Sequence, residues 1–292
     1  MAVFSSVLII TAGSAVYASL LKFCSRDPNS PEHHHEEHPT KKYLSRFACK
    51  PWQNNKKELS FDIEKFKEFK EKIIYIPVTD MPEGDNPYLR ENFQRNAINR
   101  GLVNAGKDDL IIISDLDEIP NPKKFKLFEK KMKFAVFKQL HFYYKLNLQS
   151  QKNPFWFGSR ICVKKYLKSP QWLRNIKDKK YPFWRLDVFF SDKKYSNILF
   201  IENGGWHFSN MKTPVEIEKK MRTYLHHREY DINPLGREKI EEIMKSKKSI
   251  YNLRVDMKAE KFDGTQNLKP TDGSELPDFI KENKKKYSSW ID

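Results

Sequence analysis

The residues whose types and spacing best suit them to chemistry lie in Leu110-Ile111-Ile112-Ile113-Ser114-Asp115-Leu116-Asp117-Glu118-Ile119-Pro120. Four consecutive aliphatic residues predict a strand buried on both faces, and three carboxylates follow where it ends. In an extended chain Asp115 and Asp117 project to the same side. The carboxyl ends of strands in open α/β sheets are where ligands collect. Two same-side carboxylates repel and raise one pKa, a cost that a bound divalent cation removes. Hard oxygen donors suit magnesium or manganese rather than zinc. A polar turn closed by Pro120 is the plainer reading, yet three acids directly after a buried run are a costly way to end a strand.

The neighbouring elements must hold that strand end in place. A lysine-rich amphipathic pattern from Phe61 predicts a helix leading into the apolar strand Lys72-Ile73-Ile74-Tyr75-Ile76-Pro77-Val78, closed by the turn residues Asp85-Asn86-Pro87. A second helix is expected over residues 88–103, ending near Gly101 and Gly106, with Asp108-Asp109 ahead of the acidic strand. Strand, helix, strand at this spacing indicates a βαβ-type unit, hence an α/β fold with a parallel or mixed sheet flanked by helices. Residues 134–148 alternate as one or two further strands, 161–166 as another and 198–201 as a last one. The C-terminal region from Pro214 reads as mostly helix, with breaks near Pro234 and Pro270.

The 292-residue chain carries 54 Lys and Arg against 38 Asp and Glu, and the whole excess of +16 falls in residues 121–200, with 20 basic and four acidic side chains. Such a surface attracts phosphate, whether in nucleic acid, anionic lipid or nucleotide. The cations are 42 Lys to 12 Arg, a balance that suits a solvated surface better than bidentate phosphate recognition. A 39% hydrophobic content excludes a wholly disordered chain. Cys24, Cys49 and Cys162 have neither metal-ligand spacing nor an even disulfide framework. Residues 1–23 contain an almost uncharged apolar run, 3–21, about the length of a membrane-crossing helix. A signal anchor and a buried strand-and-turn, Val7-Leu8-Ile9-Ile10 then Thr11-Ala12-Gly13-Ser14, both fit it. Residues 24–57 read as a linker or stalk, with His33-His34-His35-Glu36-Glu37-His38 an exposed tract rather than a metal site. Residues 58–292 then read as the main domain, which carries the acidic motif.

Three ordered motifs, Tyr88-Leu89-Arg90-Glu91-Asn92-Phe93-Gln94-Arg95-Asn96, Asp115-Leu116-Asp117-Glu118-Ile119-Pro120-Asn121-Pro122 and Gly204-Gly205-Trp206-His207-Phe208-Ser209, together resemble glycosyltransferase family 17. The similarity runs from about Leu59 to the end, through Ser169-Pro170-Gln171-Trp172-Leu173-Arg174 and Leu276-Pro277-Asp278-Phe279-Ile280. That family contains the β-1,4-mannosyl-glycoprotein 4-β-N-acetylglucosaminyltransferases. The resemblance implies a GT-A-like, Rossmann-type fold and inverting transfer of a sugar, GlcNAc, from a UDP-sugar to a glycan or glycoprotein acceptor, with manganese or magnesium. It implies a membrane-anchored enzyme of the Golgi or ER if residues 3–21 span, and a cytoplasmic one otherwise.

On the same resemblance Asp117 is the direct metal ligand and Asp115 holds the ribose or a metal-bound water. His207, on a loop after the last strand, completes the coordination or meets the diphosphate, and Gln94, Arg95, Asn96 and Arg174 serve the donor. A cation bridging diphosphate oxygens stabilises the charge that grows on the leaving group. Inverting transfer also needs a general base. Glu118, Glu229 and Asp187 are the candidates, Glu118 first because it adjoins the metal motif. Family members begin with a strand and loop, then a Phe-x-Gly-Lys-Pro-like segment. Phe47-Ala48-Cys49-Lys50-Pro51 echoes the second, and the apolar N-terminus is the candidate for the strand.

Two other readings claim the same residues. Haloacid-dehalogenase-type phosphatases place Asp-x-Asp after a hydrophobic strand, the first Asp as nucleophile and the second as acid/base, and Asp115 and Asp117 match that order. A nucleic-acid-binding module would use the basic stretch with Phe142, Tyr143, Tyr144, Phe155, Trp156 and Trp172, but most of these aromatics sit at strand-like positions that suit a core. No nucleic-acid partner is expected.

Overall fold

The computed structural model describes residues 3–11, 16–24, 63–83, 86–128, 132–222, 230, 234–250 and 266–292. In chain order the described strands are β1 (Val3–Thr11), β2 (Val16–Cys24), β3 (Ile73–Ile76), β4 (Leu110–Asp115), β5 (Glu118–Pro120), β6 (Phe134–Tyr143), β7 (Leu148–Ser150), β8 (Phe155–Val163), β9 (Leu199–Ile201), β10 (Gly205–Ser209) and β11 (Leu268–Pro270). The described α-helices are α1 (Pro87–Asn96), α2 (Pro170–Asn175), α3 (Leu186–Phe189), α4 (Pro214–Met221), α5 (Gly236–Lys245) and α6 (Asp278–Glu282). The expected helix after Phe61 is a 3-10 helix, Ile63–Lys72, and a second 3-10 turn, Ala97–Gly101, continues α1. Two compact units result, one of residues 1–49, 56–138 and 157–205, the other of 50–55, 139–156 and 206–292. The expected linker and the histidine tract lie outside the described residues, apart from the end of β2.

In the first unit the strand order is β3-β1-β2-β4-β8-β6, with β9 beside β6. β1 pairs parallel with β3, Leu8 opposite Ile73, and antiparallel with β2. β2 runs antiparallel to β4, Val16 opposite Asp115, and β4 antiparallel to β8, Leu110 opposite Val163. β3 and β4 therefore point the same way, as the strand-helix-strand pattern requires, but the β1–β2 hairpin lies between them. The sheet is mixed, with mostly antiparallel neighbours rather than a parallel run. Periodicity reveals that both strands are buried; it carries no information about which apolar segment fills the space between them. Residues 3–11 and 16–24 are strands, and among the described residues no helix is long and apolar enough to cross a membrane.

β4 shows why four aliphatic residues stand in a row. Ile111 and Ile113 pack on one face with Ile98, Leu102, Cys162, Trp172 and Leu173. Leu110 and Ile112 pack on the other with Phe128, Phe137, Ile161, Val163 and Ile201. Each such side chain contributes roughly 1.5–3 kcal/mol of burial, which fixes the strand from which Asp115 projects. The helices that meet it are capped by sequence. Asn86 accepts from the Tyr88 and Leu89 amides at 3.0 and 3.4 Å ahead of Pro87, so the expected turn is a helix start. Ser169 accepts from the Trp172 amide at 3.1 Å ahead of Pro170.

Three segments depart from the expected pattern. β8 begins six residues before the expected 161, and residues 164–166 form a 3-10 turn. Glu118–Pro120 and Gly205–Ser209 are strands rather than turn and loop. Gly205 serves close approach: it has φ 134°, and a Cβ there would lie 2.1 Å from the Ile119 carbonyl oxygen.

In the second unit the end of β6 pairs parallel with β10, His141 opposite His207, and β7 pairs antiparallel with β11. Its core joins Tyr143, Leu148, Ile217, Met221, Tyr230 and Ile240. A capping box of Thr213 and Glu216 starts α4.

Candidate active site

β4 ends where its side chains change from aliphatic to acidic. Ser114 is still buried and donates to the Ser159 hydroxyl of β8 at 2.6 Å. Asp115 follows, Leu116 and Asp117 form the turn, and Glu118 opens β5. The Asp115 amide donates to the Glu118 carboxylate at 3.1 Å, so the turn is closed by its own acid.

Two arginines, one from each capped helix, converge on these carboxylates. From α2, Arg174 donates to Asp115 Oδ2 at 2.5 Å, to Glu118 Oε2 at 2.9 Å and to Glu118 Oε1 at 3.0 Å. It also donates to the Gly158 carbonyl at 2.7 Å. From α1, Arg95 donates to Asp115 Oδ1 at 3.2 Å, to Glu91 at 2.9 Å and to the Gln171 side-chain oxygen at 2.5 Å. The helices are tied to each other as well, since Asn96 accepts from the Gln171 amide at 3.0 Å. Ser159 adds a 3.4 Å contact to Glu118.

Glu118 is wholly buried, and a carboxylate there is tolerable only because a cation and several donors satisfy it. Burial acts to lower the Arg174 pKa, but the charges of Asp115 and then Glu118 outweigh it, so the net shift is upward. Nearby Arg160 is pushed down to about 10, by burial first and by the Arg174 charge second. It donates to the Gly158 and Ile176 carbonyls at 2.6 and 3.2 Å. The result is a rigid, charge-compensated frame behind the turn that carries Asp117. Asp117 itself is partly exposed, and its charge is felt by Arg174.

The structure brings together Arg95, Asn96, Asp115, Glu118 and Arg174 beside the turn that carries Asp117. Gln94 is wholly buried on α1. Glu118 does not fit a general base, because both its oxygens are bonded to Arg174. Asp187 does not fit one either. It is exposed on α3, bonded to Arg185 at 2.8 Å and Lys194 at 2.6 Å, and these partners, Arg185 first, hold its carboxyl at about 2. Glu229 lies outside the described residues. His207 is in the second unit, on a strand rather than a loop. Its ring stacks on Trp156 at 4.5 Å and lies 4.7 Å from His141, with the Ser209 hydroxyl 3.2 Å from His141 Nε2 and 3.5 Å from His207 Nδ1.

Sequence reasoning missed Glu91, Gln171 and Ser159 as members of the frame. Glu91 and Arg95 are four apart on one helix, and Gln171 and Arg174 three apart on another, spacings that place each pair on one face. Ser159 carries no such signal.

Among the described residues no group of three or more His, Cys, Asp or Glu side chains is placed to hold a metal ion. Asp115 and Glu118 do not fit as ligands, since arginines occupy their oxygens. Asp117 does fit the magnesium pattern, in which one carboxylate suffices and substrate phosphates supply further oxygens.

The model of glycosyltransferase family 17 matches residues 49–291, a span that includes α1, the acidic turn, α2 and the Gly204-Gly205 segment. No curated protein and no solved structure matches the chain.

Proposed function

Because the chain belongs to glycosyltransferase family 17, it is a glycosyltransferase, and we propose that it transfers GlcNAc from UDP-GlcNAc to a glycan or glycoprotein acceptor with inversion. Membership displaces the phosphatase and nucleic-acid readings. The geometry agrees, since a phosphatase needs Asp115 as a free nucleophile and both its oxygens are ion-paired.

The observation that supports this reading best is the frame of Arg95, Arg174, Asp115 and Glu118 behind the partly exposed turn at the carboxyl end of β4. Such a frame positions Asp117 without reorganisation, which is how preorganised sites lower barriers. Asp115 then presents its backbone and carboxylate edge to the donor ribose. Arg95 and Arg174, mostly buried, are positioning residues acting through Asp115. Asp117 would hold manganese or magnesium against the diphosphate, where the cation would supply charge neutralisation for the departing UDP. On this reading Glu118 and Asp187, both ion-paired, do not serve as the general base. The co-directional β3 and β4 joined through α1, with the acidic turn at the end of β4, support a GT-A-like sheet modified by the N-terminal hairpin. On this reading residues 3–21 serve the sheet rather than a membrane tether, and the family supports a place in the secretory pathway.

A donor screen tests the proposal. Purified protein with manganese and each of several UDP-sugars should release UDP fastest from UDP-GlcNAc. Faster release from another UDP-sugar would overturn the donor assignment, and release undiminished by chelator would overturn the metal.

A further inference from the structure

Residues 181–190 expose large apolar side chains of the kind that elsewhere form the core. Phe183 is 71% exposed, Trp184 69%, Leu186 74%, Phe189 72% and Phe190 89%. Elsewhere among the described residues exposed apolar side chains occur singly or as the pair Tyr88 and Leu89; here five fall within eight positions. Exposed apolar side chains gathered this closely along the chain mark an interaction site.

The segment is an excursion with a fixed base. The Lys177 amide donates to the Lys193 carbonyl at 2.8 Å and the Tyr181 amide to the Tyr195 carbonyl at 3.3 Å. The buried Trp172 indole donates to the Asp192 carbonyl at 2.6 Å. At the tip Phe183 and Trp184 pack edge to face at 5.2 Å, and α3 carries Leu186 and Phe189. The exposed Lys177, Lys179, Lys180 and Lys193 stand at the base and Arg185 beside the tip, outnumbering the exposed Asp178 and Asp192 at the base. The central acid, Asp187, is neutralised by Arg185 and Lys194.

We propose that this loop docks the protein on an anionic lipid bilayer, its five apolar side chains entering the boundary between headgroups and acyl chains while the surrounding lysines meet lipid phosphates. Trp and Phe tips ringed by Lys are the composition that the membrane interface favours, and the positive rim complements a negative surface. A carbohydrate platform fits less well. Sugar hydroxyls need carboxylate or amide partners beside the aromatic faces, and the central carboxylate is taken by two cations.

The test is sedimentation of the full chain with vesicles of phosphatidylcholine alone or with about one third phosphatidylserine. The protein should pellet with the anionic vesicles, less so in high salt, and its tryptophan emission should be quenched by brominated acyl chains. The combined variant Phe183→Ser, Trp184→Ser, Phe189→Ser, Phe190→Ser should lose binding at least about tenfold, with UDP-GlcNAc turnover retained. Should that variant fold poorly, Lys177→Glu with Lys179→Glu and Lys180→Glu, an exterior change, should also lose the anionic preference. Absence of vesicle binding by the parent chain would overturn the proposal. So would variants that bind vesicles as the parent does, including one that loses only transfer to a soluble glycan, which would make the loop an acceptor platform.

Discussion

Arg174 and Glu118 form a buried two-point ion pair, Nη1 2.9 Å from Oε2 and Nη2 3.0 Å from Oε1, and the same guanidinium also holds Asp115. The pair joins α2 to the start of β5 and so sets the turn between them. Arg174→Met leaves a wholly buried carboxylate without its cation and should cost about 3–5 kcal/mol of stability. Adding Glu118→Gln removes the stranded charge and should restore part of that loss. Denaturant unfolding of both single variants and the double measures the coupling; strictly additive losses would show that the pair does not act as a unit.

Glu118 as a frame residue and Glu118 as a base predict different kinetics. A positioned general base contributes about 10²–10⁴-fold to the rate. Glu118→Gln should therefore slow transfer by less than about tenfold, with its pH profile unmoved. Steady-state rates across pH separate the two, and a collapse of the acid limb in Glu118→Gln would return the base to β5.

Gly205 offers a test of the backbone that supports the turn. A Cβ at φ 134° and 2.1 Å from the Ile119 carbonyl oxygen has no room. Gly205→Ala should destabilise by more than about 3 kcal/mol and prevent accumulation of folded protein. Gly106→Ala, whose Cβ would sit 3.6 Å from the Asp109 side chain, should change stability by no more than about 1 kcal/mol. Thermal melts of the two distinguish a steric requirement from a general intolerance of substitution.

Cys162, buried among the aliphatic residues beside β4, has its thiol pushed well up by desolvation. A folded pKa above the unfolded one means stability that is fully present below about pH 8.5 and lost as pH climbs toward the folded value. The folded protein should resist alkylation at Cys162 at mildly alkaline pH and become labelled only on unfolding, as peptide mass mapping would show. Rapid labelling in the folded state would place the thiol outside this core.

The central strand and the acidic turn were legible because their signals are local. Four aliphatic residues in a row require burial on two faces, and the carboxylates beside them have few structural excuses. The helix after Asn86 was legible for the same reason, though its start resembles a turn until its cap is seen. What joins these elements is not local. Arg174 reaches Glu118 across 56 positions and Arg95 reaches Asp115 across 20, and no spacing rule links residues so far apart. The hairpin between β3 and β4 was hidden for a related reason: an apolar run has the same composition whether a bilayer or a sheet buries it.

The most direct test is calorimetric titration of UDP-GlcNAc into the parent chain and Asp117→Asn, each with manganese and with chelator. Binding should need both the metal and Asp117, so that the variant and the chelated parent lose affinity at least about tenfold. Equal affinity in all four titrations would contradict a metal-held diphosphate at the end of β4.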